Sequence, residues 1–150
     1  MRSETETNRI TDCIFCRMAI REANPVIVWE DEEIMAIMDL YPASPGHVLV
    51  LPKRHIENIY EMPADTGARI MALAIAIAKV IKQQLHPDGI NLIQANGDAA
   101  GQTISHFHLH IVPRYRDDGI TLIFGHGDKP EAAEELERIA LLLRSSLSKE

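Results

Sequence analysis

Apolar residues gather in three short runs over residues 26–29, 34–38 and 47–51, rich in Val, Ile, Leu and Met. Runs of that length, bounded by turn residues, predict strands. The acidic stretch Glu30-Asp31-Glu32-Glu33 between the first two predicts a hairpin. The third follows the loop Tyr41-Pro42-Ala43-Ser44-Pro45-Gly46 and stops at Pro52, which has no N–H for a ladder. Two further strands are predicted over 90–94 and 105–112, joined by a loop whose Gly97 and Gly101 let backbone amides approach a ligand. Helical density is highest over 64–85, where Ala, Leu, Ile and Met dominate and Asp65 or Thr66 caps the start. A short helix over 14–22 ends before Asn24-Pro25, short helical turns fill 55–61, and an amphipathic helix with Pro in its first turn runs over 130–147.

The run His106-Phe107-His108-Leu109-His110-Ile111-Val112 alternates imidazoles with apolar side chains at a period of two. In extended backbone the three imidazoles share one face, and Phe107, Leu109 and Ile111 face a core. Three rings with coupled titrations near neutrality are poorly explained by stability, so this face predicts a working site. Gly101-Gln102-Thr103 directly precedes it, with amides and side chains suited to phosphate oxygens.

Composition narrows the chemistry. The chain has 150 residues, 46% of them hydrophobic and 25% charged, which predicts one ordinary domain. A net charge of −7 gives no general attraction to nucleic acid or to an anionic membrane, so an anionic substrate has to be held locally. Residues 1–11 are polar and mixed in charge, unlike a signal peptide, and read as a disordered N-terminal arm; 12–150 form the domain. Cytoplasmic placement is the default. Cys13 and Cys16 are too few for a disulfide framework; buried thiols, a redox couple and half of a metal site all remain open to them.

A single ion bound by all three imidazoles is disfavoured, since a row spanning ~13 Å cannot converge on a centre with bonds of ~2 Å. Nucleophilic catalysis at phosphorus or an acyl carbon suits a neutral imidazole better, and neither a P-loop lysine pattern nor a G-x-S-x-G elbow occurs. His86 reads as a helix-end side chain and Gly125-His126-Gly127 as a loop tip.

The alternating run resembles the signature of the histidine triad (HIT) superfamily of nucleotide hydrolases and transferases. Asp12-Cys13-Ile14-Phe15-Cys16, Asp39-Leu40, the stretch from Pro45-Gly46-His47 to Pro52-Lys53-Arg54-His55, and Ala99-Ala100-Gly101-Gln102-Thr103 fall in the family's order, over about residues 12–116. The resemblance, closest in motif to the bacterial Hint-like branch, implies an α+β fold: a five-stranded antiparallel sheet, one long packed helix and a C-terminal helix. It implies a homodimer acting on a purine nucleotide derivative or binding AMP, with neither nucleic acid nor membrane as partner. His108 would be the nucleophile at an α-phosphate, His110 would contact the scissile phosphate, and His47 would complete the imidazole network. Gly101, Gln102 and Thr103 would meet phosphate oxygens, Asp39 the ribose, and Phe15, Ile37, Leu40 and Leu49 the base. The polar residue that many members carry seven positions before Gln102 is Ala95 here, which passes that contact to Asn96. A structural zinc is implied on Cys13, Cys16, His55 and His106, with no metal in the chemical step. Adenosine phosphoramidates lead as substrates. A Fhit-like diadenosine polyphosphate hydrolase and a nucleotide-binding signalling protein with incidental turnover are the alternatives.

Overall fold

The computed structural model describes residues 12–121 and 129–147. The arm expected over 1–11 and the tip Gly125-His126-Gly127 lie outside the described residues. By its internal contacts the chain divides into two units, Met1–Ile120 and Thr121–Glu150.

The first unit is α+β. Its elements are α1 (Ile14–Ala19), β1 (Ile27–Glu30), β2 (Ile34–Met38), β3 (Val48–Pro52), α2 (Ala64–Leu85), β4 (Gly89–Ile93) and β5 (Leu109–Arg114). The five strands form one antiparallel sheet in the order β1-β2-β3-β5-β4. The predicted hairpin is present, and Asp31 closes its turn by accepting the backbone N–H groups of Glu33 and Ile34 on Oδ1.

Both sheet faces are covered, which is why β2 and β3 read as unbroken apolar runs instead of alternating ones. On one face Ile34, Ala36, Val48 and Val50 pack with Ile70, Ala74, Ile77 and Ile81 of α2 and with Phe107, Leu109 and Ile111. On the other, Met35, Ile37, Leu49 and Leu51 pack with Cys13, Phe15, Cys16 and Met18 from α1 and its start. Each buried Ile or Leu contributes roughly 1.5–3 kcal/mol. The triad's apolar residues thus face a core, as predicted, here the one under α2, and its histidines are left for the α1 face.

The expected strand over 105–112 is corrected. The ladder starts at Leu109, because β5 pairs with β3 only at Val48, Leu49 and Val50. Residues 105–108 stay outside it: the Phe107 N–H goes to the Ile56 carbonyl and the His106 N–H to that of Ile104. Face alternation survives without strand hydrogen bonds. Helix α1 ends at Ala19, short of Asn24-Pro25, as Arg21 adopts a left-handed conformation (φ 65°). Helix α2 matches its expected span, yet neither Asp65 nor Thr66 caps it: Pro63 holds the cap position, and the Thr66 hydroxyl donates to Glu33. His86, in left-handed geometry, ends it.

The second unit contains α3 (Ala133–Leu147), three residues shorter at its start than expected. Its first i to i−4 bond runs from Leu136 N–H to the Ala132 carbonyl, leaving Pro130 outside the first turn. Glu134 and Glu135 sit where the helix dipole favours acids. Among the described residues, no helix is long and apolar enough to cross a membrane.

Candidate functional site

One rung of residues crosses all five strands: Ile27, Ile37, Leu49, His110 and Ile93. Sheet register therefore places His110 beside Leu49, on the face covered by α1. His47 stands one residue before β3, and its Nε2 lies 2.9 Å from His110 Nδ1. The His108 and His110 rings meet nearly at right angles, 4.8 Å between centroids.

Hydrogen bonds assign the tautomers of these rings. The Ala43 N–H donates to His47 Nδ1 at 3.0 Å, so the proton of neutral His47 is on Nε2 and is donated to His110 Nδ1. His110 in turn carries its proton on Nε2, a donor suited to a phosphate oxygen. His108 has the opposite arrangement: its Nδ1–H donates to the His106 carbonyl at 2.7 Å, which in the neutral ring puts the lone pair on Nε2. Electrostatics keep the donor pair neutral. Burial, then the neighbouring charges of His108 and His47, lowers His110 to about 4, with Asp39 opposing. Burial likewise lowers His47, against the pull of Asp39.

A cavity of about 300 Å³ opens on this cluster. Eight residues singled out from the sequence line it: Phe15, Ile37, Asp39, Leu40, Leu49, Thr103, His108 and His110. Its volume is at the low end for small-molecule sites. Three larger hollows, of about 580, 560 and 360 Å³, lie beside Cys13 and His55, along α2, and beside Arg54 and Thr66, but none is lined by His108. Asp39 accepts the Tyr41 N–H on Oδ1 at 2.8 Å, and its Oδ2 stands 3.5 Å from His47 Nε2.

Four residues expected at this site do not line the cavity: His47, which stands behind His110, and Gln102, Asn96 and Gly101. Gln102 spends its amide on the loop, donating to the carbonyls of Glu57 and Ile104 and accepting the Gly97 N–H. Asn96 accepts the Ile59 N–H at 2.7 Å and pairs with Gln94. Gly101 supplies a left-handed turn (φ 88°), in open space where a Cβ would touch nothing. Conversely, Met18 and Tyr41 line the cavity without having been singled out. Met18 was within reach of helical spacing, three residues after Phe15; for Tyr41 the only signal was its place beside Leu40.

The second cluster lies on the same sheet face. Cys13 precedes α1, Cys16 is in its first turn, and His55 and His106 come from the segments after β3 and before β5. Their four ligand atoms all lie within 4.8 Å of one another. Cys13 Sγ and Cys16 Sγ are 3.3 and 3.5 Å from His106 Nδ1, and Cys16 Sγ is 3.3 Å from His55 Nδ1. A tetrahedral ion with zinc-like bond lengths requires ~3.6 Å between S and N ligands, so the donor set fits a closed Cys₂His₂ centre. His106 is fully buried, and its Nε2–H donates to the Pro52 carbonyl at 2.7 Å, which leaves Nδ1 as the coordinating atom. Burial, reinforced by Cys13, pushes the Cys16 thiol well up, so a cation binding there displaces a thiol proton. Asp39, His47 and His110 are also close enough to share an ion, but the His47 Nε2 proton assigned above occupies the ligand position.

Residues 21–117 match the family model of the HIT domain. A crystal structure of a HIT family protein from Bacillus anthracis is 34% identical and superposes with a TM-score of 0.85, over 90% of this chain and 96% of that one. A Zn-bound histidine triad family protein from Mycobacterium smegmatis is 35% identical, with a TM-score of 0.69 over 92% and 99% of the two chains. An adenylylsulfatase from Arabidopsis thaliana is 36% identical over 107 residues, 71% of this chain and 54% of the plant protein. With its alternating histidines on the α1 face of a five-stranded antiparallel sheet, this chain belongs to the HIT family of proteins.

Proposed function

We propose that the protein is a nucleotide hydrolase or transferase acting at the α-phosphate of purine nucleoside derivatives, with adenosine phosphoramidates as the preferred class. The observation that carries this reading is the hydrogen bond that fixes the His108 tautomer: Nδ1–H is bound to the His106 carbonyl, which leaves Nε2 as the nucleophilic atom of a residue on the cavity wall. His108 Nε2 attacks the α-phosphorus, the phosphorus–leaving-group bond breaks, and a nucleotidyl-histidine forms. Water then releases the nucleoside monophosphate and restores the imidazole. The Nε2–H of His110 donates to a phosphate oxygen as charge builds there. Thr103 borders the phosphate end, Asp39 accepts from the ribose, and Phe15, Ile37, Leu40 and Leu49 enclose the base. Gly101, Gln102 and Asn96 act by holding the loop. Zinc, when bound by Cys13, Cys16, His55 and His106, contributes structure and leaves the chemistry to the imidazoles.

The plant relative, an adenylylsulfatase, supports cleavage at an adenylyl phosphorus with a different leaving group. A homodimer is part of the proposal, supported by apolar Met71 and Ile75 exposed on α2 and Leu92 on edge strand β4. Turnover of an adenosine phosphoramidate, adenylyl sulfate and diadenosine tri- and tetraphosphate, measured side by side, tests the substrate class. Highest kcat/KM on the phosphoramidate is expected. Preference for the dinucleotides moves the protein to the Fhit-like reading, and tight AMP binding without turnover of any substrate moves it to a signalling role.

A further inference from the structure

We propose that the Cys13, Cys16, His55 and His106 cluster sets the position of the nucleophile, so that metal occupancy governs His108 and not His110. The inference rests on the reading of His108 as nucleophile. It starts from a continuous chain of contacts: the sulfurs hold His106 Nδ1, the Pro52 carbonyl holds His106 Nε2–H, and the carbonyl of that same residue holds His108 Nδ1–H. His106 is a positioning residue that faces the metal with its ring and the nucleophile with its backbone.

The two active-site imidazoles are held in different ways. His110 lies in β5, with ladder partners on both sides at Leu49 and Ile93, and its tautomer is set by the Ala43 amide through His47. His106 and His108 precede the ladder, where sheet register does not fix the His106 carbonyl. The holds there are two backbone hydrogen bonds, His106 N–H to Ile104 and Phe107 N–H to Ile56, the ring's Nε2–H bond to Pro52, and the clasp of the sulfurs on Nδ1. Opening the clasp leaves the ring held at Nε2 alone, so that it can pivot about the Pro52 bond, and the carbonyl that accepts the His108 proton loses its fixed orientation. Exchange of the ion does not require unfolding, since Cys13 and His55 line the hollow of about 580 Å³, where Asp12 and Glu57 offer carboxylates to an arriving cation.

The test is nitrogen-15 NMR of the imidazoles in the full chain at one fixed pH. Spectra are taken loaded with zinc, after stripping with a chelator, and after zinc is restored, with turnover measured on the same samples. In the loaded chain His108 shows a single Nδ1–H tautomer. On stripping, that signal gives way to mixed tautomers while His47 and His110 keep theirs, and turnover falls roughly tenfold to a hundredfold. Restoring zinc reverses both. His55→Ala, which leaves His106 in place, shows the stripped pattern at one equivalent of zinc and recovers in excess. An unchanged His108 tautomer after stripping overturns the proposal. So does simultaneous loss of all three imidazole patterns, which makes the cluster a general scaffold, and so does failure to take up zinc. A tautomer that responds to zinc in a chain inert toward every nucleotide retains the positioning role and removes the catalytic reading.

Discussion

Two imidazole clusters share one face of the sheet, and they use their ring nitrogens in opposite ways. In the Cys13, Cys16, His55 and His106 cluster, both imidazole Nδ1 atoms face sulfur, and the His106 Nε2–H is taken by a backbone carbonyl. In the His47, His108 and His110 cluster, every Nδ1 has a hydrogen-bond partner from the protein, and the Nε2 atoms of His108 and His110 are left for a ligand. Each cluster is buried except for one half-buried imidazole, His55 or His110, so burial does not separate a metal site from a reactive one. The separation comes from which nitrogen the surrounding backbone engages. A motif of three alternating histidines is thereby divided, the first to sulfur and the other two to the cavity.

Substitutions at the two clusters have different signatures. The largest effect is expected from His108→Ala, which removes the attacking atom and should lower kcat by more than about a thousandfold while AMP affinity and thermal stability stay close to the parent. Cys16→Ser acts on the other cluster. Loss of a ligand bound at a hundred times its Kd costs about 2.7 kcal/mol, or roughly 8 °C in melting temperature for a chain of this size, read by calorimetry with and without zinc. If His108→Ala destabilises as much as Cys16→Ser, the division between clusters fails.

Finer substitutions sharpen the contrast. His47→Gln breaks the relay from the Ala43 amide to His110 and should lower kcat about tenfold to a hundredfold, leaving zinc content unchanged. A pH series comes next. The folded pKa of His110 is depressed to about 4, below the usual imidazole value of 6.5, so the unfolded chain binds its proton first. Stability from this group is complete above 6.5 and is lost as pH falls from 6.5 toward 4. Glu30 and Asp31, whose carboxyls are lowered mainly by hydrogen bonds, also lose stability in acid. The comparison that isolates His110 is therefore the parent against His110→Asn, whose melting temperature should fall less steeply over that window. The smallest effect is expected from Asn96→Ala: about 1 kcal/mol of stability, from the acceptor lost to Ile59 N–H, with kcat within threefold of the parent by turnover assay.

Periodicity made much of this molecule legible. The five strands and α2 follow from runs of apolar residues, and alternation alone turns Phe107, Leu109 and Ile111 to a core, which the fold shows to be the one under α2. Alternation did not locate the start of the β5 ladder, because extended backbone and hydrogen-bonded strand have the same period. The distinction depends on Ile56, fifty-one residues earlier in the chain, accepting the Phe107 N–H. Asn96 and Gln102 show a second limit. A side-chain amide in a glycine-bearing loop has the same composition whether it faces a phosphate or ties the loop to residues 57–59, and only the fold shows these two doing the latter. Tyr41 carried no periodic signal because it lies in a loop.

Nucleophilic attack by His108 is tested most directly by intact mass after rapid quenching with an adenosine phosphoramidate, on the parent chain and on His108→Ala. An added adenylyl mass is expected on the parent, mapped to His108 and absent from the variant. An adduct at another residue, or full turnover by His108→Ala, would contradict attack by His108.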